Sequence, residues 1–170
     1  MINIILCVKV VLSDILYKDN NIVDKYMLNP FDLYALEQVL EIKRTTECKI
    51  TCLCMGKEEI KEALVQCKAM GADDIILLSD KKFAGADTYA TVYVLAQALK
   101  NLDYDIVVCG KQAVDGETGQ VPYGLAARLN CICMGAISEI EVLEMNRVIV
   151  TQQKDNIKRK LAGKLPIVMT

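Results

Sequence analysis

Short apolar runs alternate along this chain with segments in which apolar residues recur every three to four positions. A short apolar run favours a buried strand, and the second spacing is typical of a helix with one buried face. Alternation of the two indicates parallel strands joined by crossover helices. The pattern therefore predicts an α/β fold, a Rossmann-like, doubly wound parallel sheet with helices on both faces.

The strand predictions for the parallel sheet are residues 2–10, 49–55, 74–78 and 105–109. A connection containing Asn20-Asn21 is expected after the first strand. Nearer the C-terminus the apolar spacing falls to two, which predicts strands over 136–151 and 157–169, with polar turns at 144–146 and 154–156. These strands give the fold an antiparallel C-terminal portion. No repeat or linker divides the 170 residues, so we expect residues 1–170 to form a single domain.

Helix ends are indicated by residues with known capping preferences. Asn29 is expected to cap the first helix with its side chain, Pro30 suits the first helical position, and Asp32 favours the positive end of the helix dipole. Gly71 is expected to end the second helix in a left-handed conformation, and Asp87 to cap the third. A fourth helix is expected from residue 121.

The charge balance excludes several classes of function. A formal net charge of −2 provides no basic field for a nucleic-acid backbone. The apolar N-terminus contains Lys9 and lacks a basic leader region, so we expect neither a signal peptide nor membrane insertion. The expected location is cytoplasmic, or the mitochondrial matrix in a eukaryote. The chain has no histidine, which makes hydrolytic catalysis less favoured.

Eight cysteines are expected to be buried, reduced thiols rather than a disulfide scaffold, because the chain is long enough to build a core. Cys52 with Cys54, and Cys131 with Cys133, are two residues apart in strand-like segments, so each pair is expected on one sheet face. The usual C-x-x-C spacing of metal sites is absent, and no metal is expected.

Residues 109–124 read CGKQAVDGETGQVPYG and hold four of the nine glycines. They follow a strand and precede a helix, whose first amides can receive a phosphate. The G-x-G-x-x-G fingerprint and the G-x-x-x-x-G-K-S/T loop are both absent after the first strand, so neither an ordinary NAD domain nor a P-loop enzyme fits. Residues 7–10, 29–32, 55–56 and 110–121 are expected to converge at the carboxyl edge of the sheet. The same glycines also fit a plain tight turn, and spacing alone leaves both interpretations open.

Several motifs in series resemble the β subunits of electron transfer flavoproteins. They are N-P-F-D-x-Y-A-L-E at 29–37, A-x-x-M-G-A-D at 67–73 with Cys67 in place of the first alanine, F-A-G-A-D-T at 83–88 and G-K-Q-A-V-D-G-E-T-G-Q-V at 110–121. The resemblance runs from residue 1 to residue 170 in the family's order.

The resemblance implies an electron carrier without side-chain catalysis. Its partner would be an α subunit that carries FAD, and the pair would take electrons from donors such as the acyl-CoA dehydrogenases of fatty acid oxidation. This subunit would itself bind AMP, or FAD as in electron-bifurcating members. The D-G-E-T-G-Q-V loop is closer to the FAD-binding members, with Gly116 leaving room for a pyrophosphate.

The resemblance also implies a set of cofactor-binding residues. These are Cys7, Asn29, Pro30, Phe31, Asp32, Met55, Gly110, Lys111, Gln112, Ala113, Val114, Asp115, Gly116, Glu117, Thr118, Gly119, Gln120 and Val121. Cys7 and Met55 would contact the adenine side, Asn29 and Asp32 would lie near the adenosine, and residues 115–121 would surround ribose and phosphate.

The chain departs from the family pattern in two places. Family members continue beyond a segment like 165–170 into a region that embraces the α subunit, so we expect that region to be absent here. Residues 130–134 (NCICM) replace the usual glycine-isoleucine-proline segment, which leaves the exit of the fourth helix open.

Two other classes remain as alternatives: a stand-alone nucleotide-binding protein of the universal-stress type, and an adenylating enzyme with an S-G-G loop. Their phosphate motifs are missing from this sequence. Lysines and arginine at 154, 158–160 and 164 favour a solvated hairpin or, alternatively, a surface for an acidic partner.

Overall fold

The structure is a computed structural model that describes residues 1–18, 21–143 and 146–170. Its strands, in chain order, are β1 (Ile2–Cys7), β2 (Val10–Lys18), β3 (Asn21–Leu28), β4 (Cys48–Met55), β5 (Asp74–Leu78), β6 (Ile106–Cys109), β7 (Ile132–Met134), β8 (Ile137–Leu143), β9 (Arg147–Lys154), β10 (Ile157–Lys164) and β11 (Ile167–Met169). Its helices are α1 (Pro30–Thr45), α2 (Lys61–Met70), α3 (Thr88–Leu99) and α4 (Val121–Leu129). Short 3₁₀ turns cover Glu58–Ile60 and Lys81–Phe83.

Six parallel strands form the central sheet in the order β5-β4-β1-β6-β11-β7. Successive side chains of β1 alternate between two hydrophobic clusters, as a buried strand requires. Ile4 and Leu6 pack with buried residues of α1 and α2, whereas Ile5 and Cys7 pack with α3 and α4. Helices thus cover both faces, which confirms the predicted α/β class.

The antiparallel C-terminal portion is also confirmed. A three-stranded sheet with the order β10-β9-β8 contributes Val148 and Val150 to the cluster on the α1 side. The predicted strand 136–151 divides into β8 and β9 near the expected turn at 144–146, of which Glu144 and Met145 lie outside the described residues. The expected turn at 154–156 separates β9 from β10.

Two strand predictions and one predicted connection need correction. The run 2–10 is not one strand: β1 ends at Cys7, and Val10 begins β2, which pairs with β3 as an antiparallel hairpin where a connection was expected. Asn20 lies outside the described residues, and Asn21 already belongs to β3. The run 157–169 divides at Pro166, because proline cannot donate to a ladder, and β11 joins the parallel sheet.

The structure defines the exit of α4, which the sequence leaves open. Asn130 takes a left-handed conformation, with φ 53° and ψ 45°, at the end of the helix. Residues 132–134 then form β7, the edge strand beside β11. The NCICM segment therefore combines a helix end with a strand.

Two of the three predicted helix caps are confirmed. Gly71 ends α2 with a φ of 126°, which a side chain would resist. The Asp87 carboxylate accepts a hydrogen bond of 2.8 Å from the Ala90 amide in the first turn of α3. The prediction for Asn29 is wrong, since its side chain accepts no hydrogen bond from the amides of the first turn of α1.

All eight cysteines are free thiols. Cys52 and Cys54 are buried on the same side of the sheet, and Cys131 and Cys133 pack together on the opposite side, so each pair shares a face as predicted. Among the described residues, no helix has the length and apolar character needed to cross a bilayer, and no cluster of three or more Cys, Asp or Glu side chains is arranged to hold a metal ion.

Candidate functional site

The central sheet has a point at which its strand order reverses. From β1 the chain continues to β4 and β5 on one side, and then returns to place β6 on the other side. Cys7 and Cys109, at the carboxyl ends of β1 and β6, are neighbours in register. Open α/β sheets bind ligands in the crevice beyond such strand ends.

A cleft of about 950 Å³ opens at this edge of the sheet. Its volume lies near the upper end of the range of about 300–1,000 Å³ that is usual for small-molecule and cofactor sites. Its floor includes Cys7, Met55 and Cys109, at the ends of β1, β4 and β6. The cleft therefore lies where the sequence predicts a site.

Asn29 joins the start of α1 to the loop at 110–121, which we call the glycine loop. The side chain is 1% exposed, and its amide nitrogen donates to the Gln112 carbonyl oxygen over 2.8 Å. Its side-chain oxygen accepts from the Val114 amide over 3.2 Å. Asn29 is thus used as a tertiary link, and this role replaces the predicted cap.

Asp32 lies beside this link and is 6% exposed. Its carboxylate accepts a hydrogen bond of 2.7 Å from the Lys9 amide, which fixes the chain after β1 against α1. Burial raises the pKa of Asp32 to about 6, because desolvation outweighs the hydrogen bonds that favour its charged form. A buried carboxyl with a raised pKa in a cleft is typical of a functional site.

Gly110 lets β6 approach α1 closely. A Cβ atom at this position would lie 2.9 Å from the Phe31 carbonyl carbon and would overlap the Asp32 carboxylate. The Gly110 carbonyl also accepts a hydrogen bond of 3.1 Å from the Thr170 hydroxyl. Glycine is therefore required here by packing, whatever the cleft binds.

The rest of the glycine loop is held from two sides. The Lys9 ammonium pairs with Asp115 at 2.7 Å, and the Thr88 hydroxyl lies 3.3 Å from that of Thr118. Gly119 has a φ of 59°, a conformation that favours glycine. At Gly116, by contrast, packing does not require glycine, because a Cβ atom there would meet nothing within 4 Å.

The N-terminus of α4 forms part of the cleft wall. Val121 and Pro122 line the cleft, and the Gln120 side chain makes no capping hydrogen bond. Pro122 has no amide N–H, so this uncapped N-terminus offers the Val121 and Tyr123 amides and a positive dipole end, an arrangement that favours a phosphate. The described residues thus provide a donor set that suits a phosphate-containing ligand.

Most of the predicted site residues line the cleft, and a few do not. Those that line it are Cys7, Asn29, Asp32, Met55, Gly110, Lys111, Gln112, Ala113, Gly116, Glu117, Thr118, Gly119 and Val121. Those that do not are Pro30, Phe31, Val114, Asp115 and Gln120. Two of the latter support the loop indirectly, Val114 through Asn29 and Asp115 through Lys9.

Sequence reasoning missed a whole wall of the cleft. This wall comes from the loops after β4 and β5 and the start of α3. Besides Gly56, which the sequence does predict at this edge, it comprises Lys57, Glu58, Glu59, Ser79, Asp80, Lys81, Phe83, Ala84, Gly85, Ala86, Asp87, Thr88, Thr91 and Leu95. Its signal was present, since 83–88 follows a predicted strand and Asp87 marks a helix start at the same edge of the sheet. The wall carries four acids, Glu58, Glu59, Asp80 and Asp87, and two lysines, Lys57 and Lys81, so acids outnumber lysines on it.

Together the fold and the cleft define a Rossmann-like α/β protein with a ligand-sized crevice at its topological switch point. The chain matches the electron transfer flavoprotein domain over residues 22–170. It is 38% identical over 144 residues to the electron transfer flavoprotein subunit beta of Thermoanaerobacterium thermosaccharolyticum, covering 85% of this chain and 55% of that protein. It is 41% identical over 152 residues to the subunit beta of Megasphaera elsdenii, covering 85% and 56%.

A third relative, the caffeyl-CoA reductase-Etf complex subunit CarD of Acetobacterium woodii, is 38% identical over 146 residues, covering 85% of this chain and 55% of that protein. The chain therefore belongs to the electron transfer flavoprotein family and, within it, groups with the β subunits. This assignment favours the predicted electron-carrier family over the universal-stress alternative. The chain spans about half the length of these three relatives.

Proposed function

We propose that this chain is the nucleotide-binding β subunit of an electron transfer flavoprotein, with AMP or FAD in the cleft. It pairs with an α subunit that carries FAD, and the complex takes electrons from dehydrogenases such as acyl-CoA dehydrogenases and passes them to a downstream acceptor. The observation that carries the proposal is the link through Asn29, which places the glycine loop and the uncapped start of α4 on one cleft.

The contacts around the cleft support a division of roles among the residues. Cys7 and Met55, at strand ends, offer soft, weakly polar contacts for the adenine ring. Asn29 and Asp32 hold the adenosine side, while residues 116–119 and the start of α4 face ribose and phosphate. Bound flavin supplies the electron-transfer chemistry, and the side chains position it and tune its environment.

The acids of the glycine loop pose an electrostatic question, since two carboxylates near a phosphate would repel it. Asp115 does not line the cleft and is paired with the Lys9 ammonium at 2.7 Å. Glu117 lines the cleft together with Lys111. The repulsion is thus reduced at one acid, and the other is placed to bind sugar hydroxyls.

We favour FAD over AMP because of Gly116. Its backbone does not need glycine, and its surroundings are open to 4 Å. An open glycine next to a phosphate site leaves space for the second phosphate of FAD. A carboxylate there would fill that space and repel the pyrophosphate.

The test is a nucleotide inventory of the complex, purified after co-expression with an α subunit from the same genome. Two flavins per heterodimer without AMP support FAD in this cleft, whereas one flavin with one AMP supports AMP. A heterodimer with neither nucleotide in this subunit overturns the proposal.

A matched pair of variants at Gly116 tests the choice directly. Gly116→Asp should remove the second flavin and leave one flavin per heterodimer, whereas Gly116→Ala should retain both. A Cβ atom at position 116 would meet nothing within 4 Å, so circular dichroism should show normal folding for both variants. A Gly116→Asp complex that still holds two flavins contradicts the assignment of Gly116 to the pyrophosphate.

A further inference from the structure

The eight free cysteines include two neighbouring thiol pairs, and the two pairs differ in their access to the cleft. The Cys7 thiol raises the pKa of Cys109, and the Cys67 thiol raises the pKa of Cys52, as neighbouring thiols do. Cys7 and Cys109 line the cleft. Cys52 and Cys67 are fully buried on the other side of the sheet, among side chains of α1 and α2. Only the first pair can meet a molecule that enters the cleft.

The backbone places Cys7 and Cys109 at a separation that a disulfide can span. They are direct neighbours on the parallel strands β1 and β6, and their side chains belong to the same hydrophobic cluster. Adjacent strands lie about 4.7–4.9 Å apart, inside the Cα separation of about 4.4–6.8 Å found in disulfides. Cys133 lies on β7, two strands beyond β6, at about 10 Å by the same spacing, and is too distant from Cys109.

We propose that Cys7 and Cys109 form a redox-active dithiol on the floor of the cleft, which small disulfides oxidise to an intramolecular disulfide and which a nucleotide in the cleft protects. The protection rests on the proposed function. The disulfide itself does not, because it follows from the strand register and from access through the cleft.

The reaction is thiol–disulfide exchange in two steps. The Cys7 thiolate attacks one sulfur of the small disulfide, so that a mixed disulfide forms and one small thiolate leaves. Cys109 then attacks the Cys7 sulfur, the protein disulfide forms, and the second small thiolate leaves. The two cysteine protons end on the two small thiols, and the two electrons lost by the protein reduce the small disulfide.

The order of the two attacks follows from the environment of Cys109. The neighbouring Cys7 thiol, together with burial, raises the pKa of the Cys109 thiol well above its ordinary value. Cys109 therefore stays protonated and reacts poorly with an external disulfide. It reacts once the mixed disulfide lies next to it, because the departing thiolate can take its proton.

The sheet makes this disulfide reversible. The side chains of in-register parallel neighbours leave their strands in the same direction, so their Cβ atoms stay about 4.8 Å apart, whereas disulfides prefer about 3.5–4.5 Å. The bond must draw the two strand ends together, and a strained disulfide is reduced more easily. The pair is thus suited to cycle between two states.

The first experiment exposes the full chain to oxidised glutathione and maps disulfides by mass spectrometry of unreduced peptides. A Cys131→Ser/Cys133→Ser background removes the two half-buried thiols, which would otherwise form competing adducts. We expect the mass to fall by two hydrogens, a linked peptide containing Cys7 and Cys109, and complete reversal by dithiothreitol. Oxidation that yields no such peptide, or that links Cys52 to Cys67 instead, overturns the proposal.

Single substitutions separate the two pairs. Cys7→Ser and Cys109→Ser should each abolish the linked product, whereas Cys67→Ala should leave its yield unchanged, although it breaks the other thiol pair. Two independent substitutions in the cleft pair keep the test valid if one of them fails to fold. A linked product that persists in Cys109→Ser contradicts the proposal.

The second experiment repeats the oxidation with AMP or FAD present. At a nucleotide concentration of 100 times Kd, the open fraction of the cleft falls about 100-fold, and disulfide formation should slow by about the same factor. An unchanged rate with demonstrably bound nucleotide overturns the protection. Absence of any nucleotide binding overturns the proposed function and the protection together, while the disulfide found in the first experiment stands.

Discussion

Replacement of Asp32 by asparagine should change how the stability of this protein depends on pH. The buried carboxyl has a pKa of about 6 in the folded chain against an ordinary value of 3.8. At 1.36 kcal/mol per pKa unit, this difference makes the charged form about 3 kcal/mol less favourable in the folded chain than in the unfolded chain. Between pH 4 and 6 the folded state binds more protons, so the Asp32 contribution destabilises the fold as the pH rises. Below pH 4 this penalty disappears.

Asparagine keeps an oxygen that can accept from the Lys9 amide, which Asp32 contacts at 2.7 Å, and it removes the titration. Asp32→Asn should therefore gain about 3 kcal/mol relative to the wild type between pH 4 and pH 7. Urea unfolding at intervals of half a pH unit measures the free energy of unfolding of both proteins. The other carboxyls contribute equally to both and cancel in the difference. Parallel curves for the two proteins would refute the assignment of a raised pKa to Asp32.

Asp73 provides a control of opposite sign. Burial raises the pKa of its carboxyl, but the hydrogen bond from the Ile50 amide and the Lys43 ammonium together hold it below the ordinary value. Its contribution stabilises the fold above the pKa of the unfolded chain and is lost as the pH falls through the lowered folded value. Asp73→Asn should thus lose stability relative to the wild type as the pH rises, and a gain would contradict the linkage argument.

Three further predictions concern the packing of the cleft. Gly110→Ala should lower the free energy of unfolding, measured in urea, by about 1–3 kcal/mol, because its Cβ overlaps the start of α1. Gly116→Ala should change it by no more than about 0.5 kcal/mol, and equal losses for the two variants would contradict the packing argument. Asn29→Ala should lower the free energy of unfolding by about 1–3 kcal/mol, because it leaves buried groups of the glycine loop unpaired, whereas Asn101→Ala, at an exposed position, should lower it much less. An Asn29→Ala variant as stable as the wild type would refute the tertiary link. Asp87→Ala should cost about 1 kcal/mol by thermal unfolding through the loss of the α3 cap, and no change in Tm would show that the cap is dispensable.

The sequence predicts best where local signals and tertiary packing agree. The central apolar runs became β4, β5 and β6 within a residue or so, and Asp87 capped the helix that follows it. Asn29 shows where local rules fail. A capping oxygen accepts from the nearest free amides, but the side-chain oxygen of Asn29 accepts from the Val114 amide, 85 residues away. The partner of this side chain is set by a tertiary contact, which local sequence rules do not predict.

The hairpin of β2 and β3 was missed for a related reason. The predominantly apolar character of residues 2–10, interrupted only by Asn3 and Lys9, hides the point at which β1 leaves the sheet. The change occurs at Cys7, where pairing with β4 and β6 stops, and the Val8 amide still donates to the Leu53 carbonyl at 2.9 Å. Strand ends in a parallel sheet are set by the neighbouring strands, so composition alone could not locate this one.

The structure explains why glycine is needed at three of the four glycine positions in residues 109–124. Gly110 is required by the approach of α1, Gly119 by its φ of 59°, and Gly124 by the Val92 side chain of α3, which lies 2.9 Å from a Cβ built on Gly124. Gly116 alone among these four has neither constraint, because its surroundings are open and its φ is not positive. The fold therefore gives no reason for glycine at 116. A substitution there perturbs what enters the cleft without perturbing the chain, and this makes Gly116 the most direct test of whether a pyrophosphate lies beside it.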